Sequence, residues 1–470
     1  MKFYELNLNS SILNSIEKLG FKTPTPIQEK SIPILIKCDR DFIGLASTGT
    51  GKTAAFGLPI LQSINTDVKN PQSIIIAPTR ELCIQIHNDL LQFSSSIENI
   101  KIVAVYGGSS IEKQIKNLKQ DAQIIVATPG RLLDLINRKT ISLKEIKIVV
   151  LDEADEMLNM GFKEDLDKIL IKIPKERLIW LFSATMAKGV SRIANDYLNN
   201  PHEISVNNRN HSAKNIKHYA FIINERDRFE ALKRILDYLP NIYGVIFCRT
   251  RIETQRISEK LIANKYTAEA LHGDLSQKQR DAVMKKFRQK NINILVATDV
   301  AARGIDIDDI SHVIHYKLSD EIESYTHRSG RTARAGKSGI SIALMNSRES
   351  SKINQLQKKN GITINIEKLP DASVICENQL LGLIEKVINC PINENEINKY
   401  LPPVYEALCH LDKKEIIKRF ISVEFNHLLE YYRNTKDLNS VDENQYDENP
   451  RKKFHRKKRK KRNVIRTRRK

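Results

Sequence analysis

Ile148-Val149-Val150-Leu151-Asp152-Glu153-Ala154-Asp155 sets four consecutive apolar residues directly against an acidic tetrad. A short unbroken apolar run fits a buried strand, and the acids then emerge at its end. Far upstream, Phe42-Ile43-Gly44-Leu45 leads into Ala46-Ser47-Thr48-Gly49-Thr50-Gly51-Lys52-Thr53 and then the helix-compatible Ala54-Ala55-Phe56. A strand-to-helix turn of this kind aims free backbone N–H groups and a positive helix end at phosphates. Gly49 and Gly51 let the backbone close around the anion beside Ser47, Thr48 and Thr50. Lys52 can reach the β/γ-phosphates and the Thr53 hydroxyl suits Mg²⁺. Ala46 stands where the usual string has its first glycine. Asp152 supplies a carboxylate to hold Mg²⁺ through water, and Glu153 one to orient and polarise the attacking water. The two segments are complementary halves of a nucleoside triphosphatase site, whereas the tetrad alone also fits ordinary carboxylates at a helix start.

Similar Ile/Val-rich runs recur between helix-period segments through residue 200: Ser73–Ala77, Gln123–Ala127 and Leu178–Phe182. The alternation predicts a parallel sheet wrapped by helices. Ahead of it, Ile12, Leu13, Ile16 and Leu19 mark one face of a helix beginning near Ser10 and stopping at Gly20. After a polar stretch around Asn207–Ser212 the alternation restarts with Gly244–Cys248, Asn293–Ala297, Ser311–His315 and Gly339–Ala343. A second α/β domain is expected there, without a phosphate loop of its own.

A chain of 470 residues with 41% hydrophobic content is long enough for about three domains with real cores. Met1-Lys2-Phe3-Tyr4-Glu5-Leu6-Asn7 has no apolar signal core and no stretch reaches the length of a membrane span, so a cytoplasmic protein without membrane attachment is expected. The cysteines Cys38, Cys83, Cys248, Cys376, Cys390 and Cys409 have neither paired zinc spacing nor disulfide-rich density, which predicts no structural metal. Residues 451–470 hold fourteen Lys or Arg and no acid, leaving only +6 of the net +20 for everything else. Most of the basicity is therefore a tail.

Further strings follow in a definite order: Gly20-Phe21-Lys22-Thr23-Pro24-Thr25-Pro26-Ile27-Gln28, Ser183-Ala184-Thr185, and His327-Arg328-Ser329-Gly330-Arg331-Thr332-Ala333-Arg334. With the phosphate loop and the tetrad, this set resembles the DEAD-box family of ATP-dependent RNA helicases over about Phe3 to Ala343. The helical extension and basic end are most similar to the bacterial cold-shock type called DeaD. The resemblance implies an α/β fold of two tandem RecA-like domains with parallel sheets, using ATP and Mg²⁺ on RNA. Within it Gln28 is the adenine reader, which suits a carboxamide that both donates and accepts. Phe3 covers the base, Phe21 is a further nucleotide-binding residue, and Asp306 touches the ribose. Arg331 and Arg334, on one side of a helical turn, are finger arginines for the transferring phosphoryl group. Ser329 and Ala333 depart from the commonest family string, which has an aliphatic residue and glycine there.

The RNA track implied by the resemblance uses Pro78, Thr79 and Arg80, Gly107 and Gly108, and Thr128, Pro129, Gly130 and Arg131 in the first domain. In the second it uses Arg249, Thr250, Gly273, Asp274, Gln277, Arg280, Thr298, Arg303 and Gly304. Glycines allow close backbone approach, and hydroxyls and guanidiniums suit phosphate oxygens, so base specificity should be low. Ser183, Ala184 and Thr185 are read in the family as the coupler between nucleotide state and strand separation. Their short hydroxyls could bond the tetrad's acids, and a turn or helix cap is the other reading.

Past the core, Leu380, Leu381, Ile384 and Ile388 recur at helical spacing, as do Ile416, Ile417 and Phe420, with Leu401-Pro402-Pro403 breaking the chain between. The expected organisation is a first RecA-like domain over 1–205, a linker over 206–215, a second domain over 216–368, a small helical extension over 372–436 and a disordered basic tail over 437–470. The extension either forms a homodimer or packs back on the second domain. The tail is read as an RNA tether by counterion release, against a solubility tail or a nuclear address. The function implied is that of an ATP-dependent RNA helicase that locally unwinds short duplexes or remodels RNA–protein complexes, in ribosome assembly, RNA decay or cold adaptation. An ATP-gated RNA clamp is the alternative, and a DNA-translocating helicase is disfavoured by the adenine-reading motif.

Overall fold

The structure, a computed structural model, describes residues 1–46, 49–206, 215–302, 310–319, 322–333, 337–433, 435 and 438–439. Its described residues form two compact units, one of Met1–Phe221 with Leu239–Glu367, the other of Ile222–Tyr238 with the chain from Lys368 onward.

The first unit holds two seven-stranded sheets. One is ordered β3-β4-β2-β5-β6-β1-β7, with β1 Phe42–Leu45, β2 Ser73–Ile76, β3 Ile102–Val105, β4 Ile124–Ala127, β5 Ile148–Leu151, β6 Leu178–Ser183 and β7 His202–Ser205. All its pairings are parallel, for instance Ile148 with Ser73 on one side and with Leu178 on the other. The four apolar residues of β5 are all buried because successive side chains point to opposite faces and both faces are covered. Ile148 and Val150 join one core with Phe42, Trp180 and Phe182, while Val149 and Leu151 join a second with Ile43, Leu45 and Leu181.

The other sheet runs β10-β11-β9-β12-β13-β8-β14, with β8 Ile216–Ile222, β9 Gly244–Cys248, β10 Ala268–Leu271, β11 Ile294–Thr298, β12 His312–His315, β13 Gly339–Met345 and β14 Ile364–Glu367. Its β10–β11, β11–β9, β9–β12, β12–β13 and β8–β14 pairings are parallel. Parallel strands put the loops that follow them on one edge, where open α/β sheets bind ligands. The phosphate loop follows β1, the tetrad β5 and Ser183-Ala184-Thr185 β6. Arg249 follows β9 and Asp299 follows β11.

The second unit is helical: Arg228–Tyr238, Ala372–Ile388, Glu394–Ile397, Leu401–Leu408 and Lys413–Arg433. Between the two apolar helices Ala372–Ile388 and Lys413–Arg433, Pro402 and Pro403 open a separate helix, Leu401–Leu408, where a missing N–H costs nothing. The helix Arg228–Tyr238 belongs with the extension through Asp237, whose carboxylate accepts from Tyr432 Oη at 2.5 Å and whose carbonyl accepts from Gln379 Nε2. Leu369 and Asn439 exchange two hydrogen bonds, at 2.8 and 3.0 Å.

Candidate active site

The helix Lys52–Ser63 begins on Gly51 at φ +86°, with Gly49 at +80° two residues before. That left-handed backbone is open to glycine and strained for other residues, which is why the loop needs glycines there. A Cβ on Gly51 would also lie 2.4 Å from Gln28 Nε2. Gln28 is buried and divided between two partners, donating to the Gly51 carbonyl at 3.0 Å and accepting from Thr25 N at 2.9 Å. The residue expected to read adenine is thus fastened to the phosphate loop itself. Phe3 is buried and stacks at 6.2 Å on Phe21, which is 40% exposed and the more accessible of the two rings.

Lys52 is buried, and its ammonium has no hydrogen-bond partner among the described residues. Asp152, also buried, accepts from Glu153 N at 2.9 Å. Burial pushes its carboxyl up to about 6, Lys52 pulling it down and Glu153 and Asp155 adding to the rise. Glu153 occupies the left-handed region at φ +49° and heads the helix Ala154–Asn159. A non-glycine residue held there stores strain, a feature that clusters at working sites. Asp155 accepts through Oδ2 from Thr185 N at 3.2 Å and Thr185 Oγ1 at 3.1 Å, so the expected bond between the hydroxyl string and the tetrad is present. Ser183 Oγ donates to the Thr185 carbonyl at 2.8 Å.

The tetrad faces a cleft lined by Glu153, Asp155, Glu156, Ala184, His327, Arg328 and Arg331. Across it the His327 imidazole donates to Glu156 at 2.6 Å. Burial opposes a charge on His327, but this bond and the neighbouring acids prevail and hold its pKa above the ordinary value. Arg331 is buried on the same wall, its Nε donating to the His327 carbonyl at 3.3 Å. Arg328 is tied within its own sheet domain instead, to both Asp299 oxygens and, at 2.9 Å, to the Lys317 carbonyl. Glu156, Asp299 and Arg328 were not singled out from the sequence. An acid directly after the tetrad and a second arginine beside His327 were the available signals.

The expected RNA residues divide by task. Thr79 and Thr250 cap helices, accepting from Leu82 N and Glu253 N, each at 3.2 Å. Arg249 gives Nε to the Leu318 carbonyl at 2.6 Å. Asp274 pairs with Arg251, and Thr298 ends β11 in a buried position. Arg280 meets Glu81 at 3.0 Å and Arg80 meets Asp281 at 3.8 Å, a reciprocal charge pair joining the two sheet domains, with Gln277 holding Asp281 at 2.8 Å. Pro129 and Gly130 open the helix Pro129–Asn137, which Thr128 precedes. Ser47, Thr48, Arg303, Gly304, Asp306 and Arg334 lie outside the described residues, as do 207–214 of the linker and the tail from 440 onward.

Comparison with known proteins extends this geometry. The model of the DEAD/DEAH box helicase family matches residues 25–193, that of the helicase conserved C-terminal domain 227–336, and that of a helical domain of probable ATP-dependent RNA helicases 375–433. The DEAD-box ATP-dependent RNA helicase CshA of Geobacillus kaustophilus is 42% identical over 393 residues, 84% of each chain. The chain belongs to the DEAD-box ATP-dependent RNA helicases. The Bacillus subtilis CshA is 40% identical to this helicase over 421 residues, 90% of this chain and 85% of that one. Among solved structures, Saccharomyces cerevisiae Dbp5 bound to RNA and ADP BeF3 superposes with TM-score 0.73 at 32% identity, over 80% of this chain and 99% of Dbp5. Mss116p bound to ssRNA and AMP-PNP superposes at 0.69 with 26% identity, over 91% and 90%. The helicase has the tandem RecA-like fold and is an RNA-stimulated ATPase that binds and remodels RNA.

Proposed function

We propose that the helicase hydrolyses ATP in the cleft between Lys52, the acidic tetrad and Arg331, and uses closure of its two RecA-like domains, 1–205 and 216–368, to deform a short RNA duplex. The observation that carries this is the Lys52 ammonium, buried without a hydrogen-bond partner among the described residues and beside Asp152. An unpaired buried cation is costly, and a polyphosphate is the anion that a glycine loop at a helix start accepts. Mg²⁺ fits the same place, since it favours one or two carboxylates together with phosphate oxygens. Thr53 and Asp152 would hold it, and it would neutralise developing phosphate charge. Glu153 aligns the attacking water and takes its proton, Gln28 selects adenine beside the Phe3–Phe21 pair, and Asp306 meets the ribose. Arg331 and Arg334 stabilise the transferring phosphoryl group. Thr185, bonded to Asp155, links the nucleotide side of the cleft to the RNA track running from Pro78–Arg80 to Thr298–Gly304.

Strand release from a short RNA duplex tests the reading. Release with ATP and Mg²⁺, absent with either omitted, is expected. Equal release without nucleotide would refute it.

The helical extension over 372–436 forms a homodimer in this proposal. Leu381, Ile384, Ile388, Ile417 and Phe420 follow the helical spacing noted in the sequence and are 41–75% exposed, an apolar set that a second copy would cover. Light scattering should give a dimer mass for the parent and a monomer for the Leu381→Asp, Phe420→Asp double variant. A monomeric parent would end the proposal. Ribosomal or RNA-decay complexes in the cytoplasm are the proposed setting, and crosslinking in cells followed by identification of the bound RNA tests that.

A further inference from the structure

Between β3 and β4 lies a buried amide that none of the motifs contains. Gly108 turns the chain at φ +76°, and Ser110 caps the helix Ile111–Leu118, its Oγ accepting from Lys113 N at 3.4 Å. The chain therefore doubles back, and Gln114, one turn into the helix, reaches the residues that precede it. Gln114 is buried. Its Nε2 donates to the Tyr106 carbonyl at 3.0 Å and its Oε1 accepts from Arg131 Nη1 at 2.8 Å. Arg131 also donates to the Ser109 carbonyl, at 3.2 Å from Nη1 and 3.3 Å from Nη2. The Tyr106 ring lies 4.6 Å from the Arg80 guanidinium, which in turn donates to the Gly108 carbonyl at 3.3 Å. Gln114 thus ties together the segments that follow β3 and β4, and the Tyr106 ring and Gly108 carbonyl of the first of these hold Arg80, which follows β2.

We propose that Gln114 is a positioning residue for RNA: its amide holds the Arg131 guanidinium and the Tyr106–Ser109 loop in the one arrangement that presents Arg80, Gly108 and Arg131 to a single phosphate backbone. The proposal rests on reading those three residues as RNA contacts. A buried amide with both ends filled admits one geometry, because leaving either end unpaired costs the desolvation of that group. No other side chain of this reach offers a neutral donor and acceptor on one plane. Glutamate keeps the acceptor for Arg131 but turns an oxygen toward the Tyr106 carbonyl. Methionine keeps the volume and neither bond.

The test is ATP hydrolysis by the full chain as a function of a mixed-sequence single-stranded RNA, with Gln114→Met, Gln114→Glu and Arg131→Ala alongside the parent. Both Gln114 variants should need about tenfold more RNA for half-maximal stimulation, with saturating rate and RNA-free ATP affinity within about twofold of the parent. If Arg131→Ala weakens RNA and neither Gln114 variant does, the positioning role is overturned while the RNA track stands. An Arg131→Ala enzyme with unchanged RNA dependence removes the track reading, and the role of Gln114 with it. Loss of ATP affinity and saturating rate in parallel in both Gln114 variants would mean general packing instead, and also overturns the proposal.

Discussion

Thr185 gives both its backbone N–H and its hydroxyl to one oxygen, Asp155 Oδ2, at 3.2 and 3.1 Å. Asp155 in turn accepts from Glu156 N at 3.2 Å, and Glu156 is the acid that meets His327 across the cleft. Thr185 is therefore linked through Asp155 and Glu156 to His327, one of the contacts between the two sheet domains. Thr185→Val should keep RNA-stimulated hydrolysis within about threefold of the parent and lower duplex release by about tenfold, the hydroxyl bond being lost while the backbone one remains. Thr185→Ser should restore release. Hydrolysis and release falling by the same factor would contradict a coupling role.

Gln28 spends its amide on the Gly51 carbonyl and Thr25 N. Gln28→Ala should raise the ATP concentration for half-maximal hydrolysis by about tenfold and erase the preference for ATP over GTP, since one buried bond to the loop and the base-reading amide go together. Retained discrimination between the two nucleotides would show that adenine is read elsewhere.

How far these residues could be read in advance differs from place to place. The central strands were legible because residues such as Ile148–Leu151 are buried on both faces, and a wholly apolar run has little else to be. Strands β3, β7, β10 and β14 are sheet edges with less to cover. Glu269 within β10, and Asn365 and Glu367 within β14, break the apolar signal. The phosphate loop and tetrad were legible as contiguous strings. Glu156, Asp299 and Gln114 were not, since each acts through a residue remote in sequence: His327, Arg328 and Arg131 respectively. Pro402-Pro403 separates the two apolar helices, but the short helix it opens was not legible, because proline stops a helix from within and starts one at its first turn.

His218, His315, Tyr325, Ser329 and Ser341 form a buried polar network, with His218 Nδ1 2.9 Å from Tyr325 Oη and His315 Nε2 3.1 Å from Ser341 Oγ. Ser329, one of the two departures from the commonest family string, is a member. Burial lowers His218 to about 4 and His315 well below its ordinary value. Between about pH 6.5 and 4 the unfolded chain binds protons that these folded imidazoles refuse, so stability falls as pH falls through that window, by about 3 kcal/mol for His218. Urea unfolding at pH 7 and 5 should show the loss, and His218→Phe should reduce it. PH-independent stability would mean the imidazoles are charged or hydrated.

Residues 447–470 are predicted to tether RNA without reading it. Their deletion should leave hydrolysis at saturating RNA intact and weaken RNA equally for unrelated sequences. If the tail meets about five phosphates, the log–log salt slope should shrink by about 3.5. An unchanged slope would reduce the tail to a solubility element, and a loss confined to one RNA would assign it base recognition.

Glu153→Gln tests the central claim most directly, since it changes one oxygen to an amide nitrogen in the cleft and leaves Lys52, Asp152 and Arg331 in place. Single-turnover hydrolysis with saturating RNA should fall by at least about a hundredfold, while ATP and RNA binding stay within about twofold of the parent. Hydrolysis within about twofold of the parent would contradict the assignment of Glu153 as the residue that activates water.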